Sequence, residues 1–315
     1  VSALPERVRI VEVGPRDGLQ NEPRRVPTEA KIEFVNELVD AGLRDVEVTS
    51  FVRGDRVPQL ADADQVFAGI ERSRRARYWA LVPNARGLAR AREAGVGHVA
   101  VFTAATDAFN RANVNATVAE SLAQLSPVVA EAKAAGLGVR GYVSTAFGCP
   151  YEGEVDPVKP ARVARALLDA GCDEISLGDT IGVAVPPDVR RVLHACESAG
   201  VARERIALHL HDTFGTALAN VWAGLAEGIT VFDSSAGGLG GCPFAPGAAG
   251  NLATEDLIYL LDGLGVESGV SLPRVAEASG KIARLLGKGL PSRARAAWTA
   301  RGGGAAGPGS GTMGA

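Results

Sequence analysis

Short apolar runs alternate with longer amphipathic stretches along most of the chain. The runs are Val8–Val13, Arg44–Thr49, Arg77–Val82, His98–Phe102, Gly138–Val143, Glu174–Leu177, Ile206–Leu210 and Thr230–Asp233. Their length and β-branched content predict strands. The stretches between them carry apolar residues at helical spacing. Thr28 is placed to cap a helix whose inner face is Ile32, Val35, Leu38 and Val39. Asp156–Pro157 predicts the start of another, with Val163 and Leu167 inside. Pro127 interrupts the segment 118–135 and predicts a second helix beginning there, with Ser126 as its cap. Helix-to-strand passages are marked by Gly42, Gly95, Gly136, Gly171, Gly200 and Gly228. A glycine just past a helix end takes the left-handed conformation that closes it. Repeated strand–helix units of this number predict an α/β fold, the (β/α)8 TIM barrel. The rival, a doubly wound open sheet, usually carries a glycine fingerprint after its first strand, and none follows Val13. The barrel domain is expected over residues 1–290. Residues 291–315, rich in Gly, Ala and Ser from Arg301 onward, are expected to form a disordered low-complexity tail.

Charge and composition remove several classes of function. With 33 basic and 36 acidic residues the net charge is −3, which gives no general attraction to nucleic acid or anionic membrane. No apolar run is long enough to span a bilayer. Val1–Arg7 carries no apolar signal core, so a cytoplasmic location is expected. The four cysteines lack CxxC spacing and read as reduced thiols. Cys149, Cys172 and Cys196 are expected to be small buried apolar residues.

A β/α barrel presents its chemistry at the C-terminal ends of its strands. Residues two apart on a strand share a face, so His209 and His211 point the same way and can grip one ion, while Leu208 and Leu210 point into packing. Taken alone, such a pair is more often structural. Other strand ends add polar clusters that would face the same mouth. The first runs into Gly14–Pro15–Arg16–Asp17–Gly18, the second carries Glu47 and Thr49 on one face, and the sixth ends in Gly178–Asp179–Thr180. The eighth leads into a glycine-rich loop ending at Cys242, then Gly250–Asn251. Asp17, His209, His211 and Asn251 together offer two imidazoles and two oxygens. That mixed set suits Mg2+ or Mn2+, and its histidines suit Zn2+ as well. Asp17 can equally serve as a turn residue and Asn251 as a helix cap. Arg16 can offset charge or aim a guanidinium at a developing oxyanion. Cys242, at an ordinary thiol pKa of about 8.5, is mainly protonated at neutral pH and can donate a proton.

The chain resembles the 3-hydroxy-3-methylglutaryl-CoA lyases, within the metal-dependent barrel lyases and acyl-CoA-condensing synthases. The resemblance runs from about Val8 to Leu286 and rests on ordered blocks. These include Glu12-Val13-Gly14-Pro15-Arg16-Asp17-Gly18-Leu19-Gln20-Asn21-Glu22, Thr49-Ser50-Phe51-Val52, Arg140-Gly141-Tyr142-Val143-Ser144 and Gly148-Cys149-Pro150-Tyr151-Glu152-Gly153. Further blocks are Ser176-Leu177-Gly178-Asp179-Thr180, Gly238-Leu239-Gly240-Gly241-Cys242-Pro243-Phe244 and Gly250-Asn251-Leu252. The condensing synthases differ in the first block and in the residues after the second histidine. By resemblance, Asp17, His209, His211 and Asn251 are metal ligands, Arg16 stabilises a thioester enolate, and Cys242 protonates it. Glu47 and Asp179 are supporting carboxylates, and either Asp179 or His209 is the base. The implied reaction is cleavage of 3-hydroxy-3-methylglutaryl-CoA to acetoacetate and acetyl-CoA. A homo-oligomer, dimer or tetramer, is also implied. Arg53–Gly54–Asp55 stands where the family usually has Ser-Pro-Lys, which opens the acyl group to larger branches. The rival readings are a condensing synthase and a non-catalytic metabolite-binding barrel.

Overall fold

The computed structural model describes residues 4–241 and 250–302. Cys242 and residues 303–315 lie outside them. The barrel strands are β1 (Arg9–Glu12), β2 (Asp45–Ser50), β3 (Arg77–Leu81), β4 (His98–Ala104), β5 (Gly138–Ser144), β6 (Glu174–Gly178), β7 (Ile206–His209) and β8 (Val231–Ser234). Each pairs in parallel with its sequence neighbours, and β8 closes the ring on β1 with Ile10 opposite Phe232. This is the predicted (β/α)8 barrel. The glycines at the predicted junctions have positive φ, from 76° at Gly95 to 114° at Gly171, so the helix-closing role is met.

The helices are α1 (Thr28–Asp40), α2 (Ala63–Gly69), α3 (Ala85–Glu93), α4 (Asp107–Val114), α5 (Val118–Ala134), α6 (Val158–Ala170), α7 (Pro186–Ser198), α8 (Ala217–Ala226), α9 (Thr254–Leu264), α10 (Leu272–Leu286) and α11 (Arg293–Ala300). Two local expectations change. Helix α5 runs through Pro127 without a break. Its capping box at Thr117 and Glu120 fixes the start, and the buried face continues from Leu125 to Val128, Val129 and Ala132. That burial outweighs the one backbone bond that proline removes. Thr28 is the first helical residue rather than the cap, and its hydroxyl donates to Asp62. Past residue 290, Arg293–Ala300 forms α11. Asp256 accepts from Ser292 Oγ and from the Ala294 backbone at 2.7 Å each, which docks α11 on α9. A boundary at 290 therefore precedes one further helix.

The apolar core lies mainly between strands and helices, where Val46, Val48, Phe34 and Phe67 meet. The barrel interior is different. Two small apolar clusters, Val11–Val13–Ala207–Val231 and Leu81–Ala100–Tyr142, leave room between them for a stack of charged side chains. Arg140, Glu47, Asp233 and Asp45 are all buried there. Buried charges demand partners, and these partners carry the inside of the barrel up to its mouth. Among the described residues, no helix is long and apolar enough to cross a membrane.

Candidate active site

The turn after β1 winds tightly. The Val13 carbonyl accepts from the backbone N–H of Arg16, Asp17 and Gly18 at 3.2, 2.7 and 3.1 Å. This coil sends Arg16 and Asp17 to the same side, into a cavity of about 1370 Å³ at the barrel mouth. His209 and His211 line the same cavity. One oxygen of Asp17 and one ring nitrogen of each histidine lie within 4.8 Å of one another, an arrangement able to hold a metal ion. Asn251 stands beside this group. It bridges to His211 across an antiparallel β-contact, and its Nδ2 donates to Asp17 Oδ2 at 2.8 Å and to the Leu239 carbonyl at 3.1 Å.

The donor atoms fit a cation. Asn251 Oδ1 is buried and makes no well-formed hydrogen bond. His209 Nε2 faces His211 Nε2 at 3.2 Å and Asp17 Oδ2 at 3.9 Å. Burial, with the nearby His209, pushes His211 down to about 4, so its ring is neutral at physiological pH. Burial opposes ionisation of Asp17, but Arg16 and the two histidines overcome it and hold the carboxyl well below its usual range. The neutral His211 ring, the ionised Asp17 carboxylate and the Asn251 amide oxygen are donors that a divalent cation accepts. Space is equally specific. A Cβ at Gly240, whose φ is +116°, would sit 2.6 Å from Asn251 Nδ2, so only glycine lets the loop pass over the asparagine.

Arg16 is clamped from below. Its Nε and Nη2 each lie 2.7 Å from Glu47 Oε2, and its Nη1 donates to Asp17 Oδ1 at 2.6 Å. Burial disfavours the charge, but Glu47 and Asp17 more than offset this and hold the guanidinium protonated. Burial raises the Glu47 carboxyl, with Arg16 pulling the other way. Tyr142 lies beneath, with its OH donating to Glu47 Oε2 at 3.2 Å and its ring 5.6 Å from the Arg16 guanidinium.

Asp179 is placed differently from the other candidates. Both its oxygens accept backbone N–H groups, from Val183 and Ala184 at 3.1 Å each. Its own N–H donates to the His209 carbonyl at 2.8 Å. Burial pushes its carboxyl up to about 6 against those two bonds. Its neighbours Gly178 and Thr180 line the cavity and Asp179 does not. The buried cysteines behave as expected, with the Cys172 and Cys196 thiols pushed up to about 12 by burial.

Sequence reasoning missed Arg140, Ser176 and Asp233 as parts of the site. Asp233 accepts from His209 Nδ1 at 3.2 Å, Ser176 Oγ at 2.8 Å and Arg140 Nη2 at 2.5 Å. The available signal was a charged residue inside an apolar strand: Arg140 after Val139, and Asp233 after Val231–Phe232.

The HMGL-like family profile matches residues 7–282, most of the chain. The chain belongs to the HMGL-like family. Within it, the chain is 50% identical over 298 residues to the 3-hydroxy-3-isohexenylglutaryl-CoA/hydroxy-methylglutaryl-CoA lyase of Pseudomonas aeruginosa, covering 95% of this chain and 99% of the relative. The crystal structure of hydroxymethylglutaryl-CoA lyase from Pseudomonas aeruginosa superposes with a TM-score of 0.92 at 50% identity, over 95% of this chain and 99% of that one. An HMG-CoA lyase of Acinetobacter baumannii, solved with coenzyme A and 3-methylmalate, superposes with a TM-score of 0.87 at 37% identity, over 93% and 95% of the two chains. This HMGL-like chain therefore shares its barrel with both solved relatives over nearly all of their length.

Proposed function

We propose that this HMGL-like chain is a divalent-metal-dependent lyase that cleaves 3-hydroxy-3-methylglutaryl-CoA to acetoacetate and acetyl-CoA. The observation that carries the reading is the meeting of Asp17, His209 and His211 beside a buried Arg16 at the barrel mouth. Asp17, His209, His211 and Asn251 would hold Mg2+ or Mn2+. When bound, such an ion lowers the pKa of a coordinated substrate hydroxyl.

The chain's own residues supply the rest. A base takes the proton of the tertiary hydroxyl, and the O–H electron pair becomes the ketone of acetoacetate. The C2–C3 bond breaks and its electron pair passes to the acetyl-CoA enolate. Two residues are candidates for the base. Asp179 stands behind the wall with both oxygens accepting backbone N–H groups, which support the β6 loop; His209 lines the cavity and acts as a base only while its Nε2 lone pair is not committed to the ion. Arg16 donates to the enolate oxygen, a position that Glu47 fixes from behind. Cys242 delivers the proton to carbon.

A larger branched acyl group is a second reading. The cavity is wide, and Phe51, Leu81, Phe102 and Phe109 give it an apolar wall beside the Arg53–Gly54–Asp55 rim. The named activity of the Pseudomonas relative covers both acyl groups. Cytoplasmic location and homo-oligomer assembly belong to the same proposal, the latter checked by sedimentation equilibrium.

The test is acetyl-CoA release from 3-hydroxy-3-methylglutaryl-CoA and from a longer branched analogue, with chelated and then Mg2+-restored protein. Activity is expected to fall to background on chelation and to return with the ion. No metal-dependent release from either substrate overturns the reading. Cys242→Ser is expected to keep Mn2+ affinity and lower kcat; lost Mn2+ binding would instead make Cys242 a ligand or a prop.

A further inference from the structure

The last residues of β8 place Asp233 beneath the two histidines, away from the cavity. Its carboxylate is 1% exposed and takes donors on both oxygens. Arg140 Nη2 reaches Oδ1 at 2.5 Å, while Ser176 Oγ and His209 Nδ1 reach Oδ2 at 2.8 and 3.2 Å. Arg140 is itself fixed. Its Nη1 donates to Tyr142 OH at 3.1 Å, and its Nε lies 2.9 Å from Glu174 Oε1.

We propose that Asp233, held by Arg140 and Ser176, is a positioning residue that fixes His209 in the Nδ1–H tautomer with its Nε2 lone pair aimed at Asp17 and His211. The argument is one of donors and acceptors. An ionised carboxylate only accepts, so the imidazole nitrogen facing it must carry the hydrogen. A neutral imidazole has one N–H, and Nε2 is then the bare nitrogen. The opposite tautomer would set the Nδ1 lone pair against Asp233 Oδ2 in a dry site, leaving both without a donor between them. A histidine whose far nitrogen donates to a carboxylate is also the arrangement that fixes ring orientation at metal sites. The ring has little freedom to turn, because the Tyr142 ring stands edge-on to it at 6.0 Å. Arg140 has a further effect. Its Nη2 pairs with Asp233 Oδ1 at 2.5 Å, so the carboxylate has a fixed countercharge and stays an acceptor.

The service of that lone pair to a cation rests on the metal reading proposed above; the tautomer does not. Two measurements separate them. On the full chain labelled with 15N-histidine, at alkaline pH where the ring is neutral, the His209 resonances are assigned by loss in His209→Gln. The expected pattern is protonated Nδ1 and bare Nε2. Protonated Nε2 in the unsubstituted protein overturns the proposal, and this spectrum needs no variant of Asp233 to fold. Mn2+ titration in the absence of substrate gives the second readout. Asp233→Asn is expected to weaken Mn2+ binding by about 10- to 100-fold, the scale for removing such a partner, and Ser176→Ala by less. A folded Asp233→Asn that binds Mn2+ as tightly as the parent overturns the positioning role. A parent protein that shows the Nδ1–H tautomer yet binds no Mn2+ overturns the metal reading and supports the tautomer.

Discussion

The two ends of the barrel use the same residue types to opposite effect. At the closed end, where the strands begin, Asp45 accepts from Arg77 Nη2 and Trp79 Nε1 at 2.8 Å each. Glu174 pairs with both Arg9 and Arg140. The atoms there that miss hydrogen-bond geometry, Arg9 Nη1 and Arg140 Nε, still lie 3.4 and 2.9 Å from a carboxylate oxygen. At the mouth, Asn251 Oδ1, His211 Nδ1 and Glu47 Oε1 are buried and make no well-formed hydrogen bond, although Asn251 still favours the charged form of His211. A buried polar atom without a partner costs stability. The closed end has spent its charges on the fold, whereas the mouth holds some in reserve for a ligand.

This contrast can be broken by substitution. The largest effect is expected at the mouth. Arg16→Gln should lower kcat about 10²-fold or more, the scale for removing one oxyanion donor, while Mn2+ titration still shows a site. Near-normal turnover would remove Arg16 from the chemistry. At the closed end the balance reverses. Asp45→Asn should cost about 2 kcal/mol of unfolding free energy, the order for hydrogen bonds to a buried charge, with kcat almost unchanged. A large drop in kcat without loss of stability would show that the two ends are not separate.

The smallest effect belongs to a residue between them. Glu12 is fully buried and accepts from the Gly14 and Ala236 backbones at 2.7 and 2.9 Å and from Thr254 Oγ1 at 2.7 Å. Burial outweighs these bonds and pushes its carboxyl from 4.5 up to about 7. The folded state then holds the proton more tightly than the unfolded chain. The stability this gives is complete below about 4.5 and is lost as pH rises toward 7. Urea midpoints measured across that window should fall with pH more steeply in the parent than in Glu12→Gln. Parallel profiles would mean that Glu12 is ionised throughout.

Much of this architecture was legible because it is written locally. The strands and the closing glycines at Gly42 or Gly171 are properties of a few adjacent residues. The alternation that put His209 and His211 on one face was equally local, and Asp17 was reachable by knowing where barrels keep their chemistry. What could not be read is which buried charges meet across the interior. Arg140 and Asp233 are 93 positions apart, and nothing in either strand names the other. Asp179 illustrates the same limit. Its position at a strand end matched that of Asp17, yet the backbone of its own loop turns it away from the cavity. Pro127 shows that a local rule yields when burial on both sides of it is continuous.

The contact between Asn251 and Asp17 spans 234 positions of sequence, over the seam where β8 meets β1. During synthesis, Asp17 leaves the ribosome early and both histidines follow much later, but the amide that stands beside them comes after the last barrel strand. Loop closure over such a distance is entropically costly and is made only when the ring shuts. A chain that ends before Asn251 lacks this contact and with it the meeting of the amide with Asp17. Occupancy by a cation would mark finished molecules and, by stabilising only them, draw the last folding step to completion.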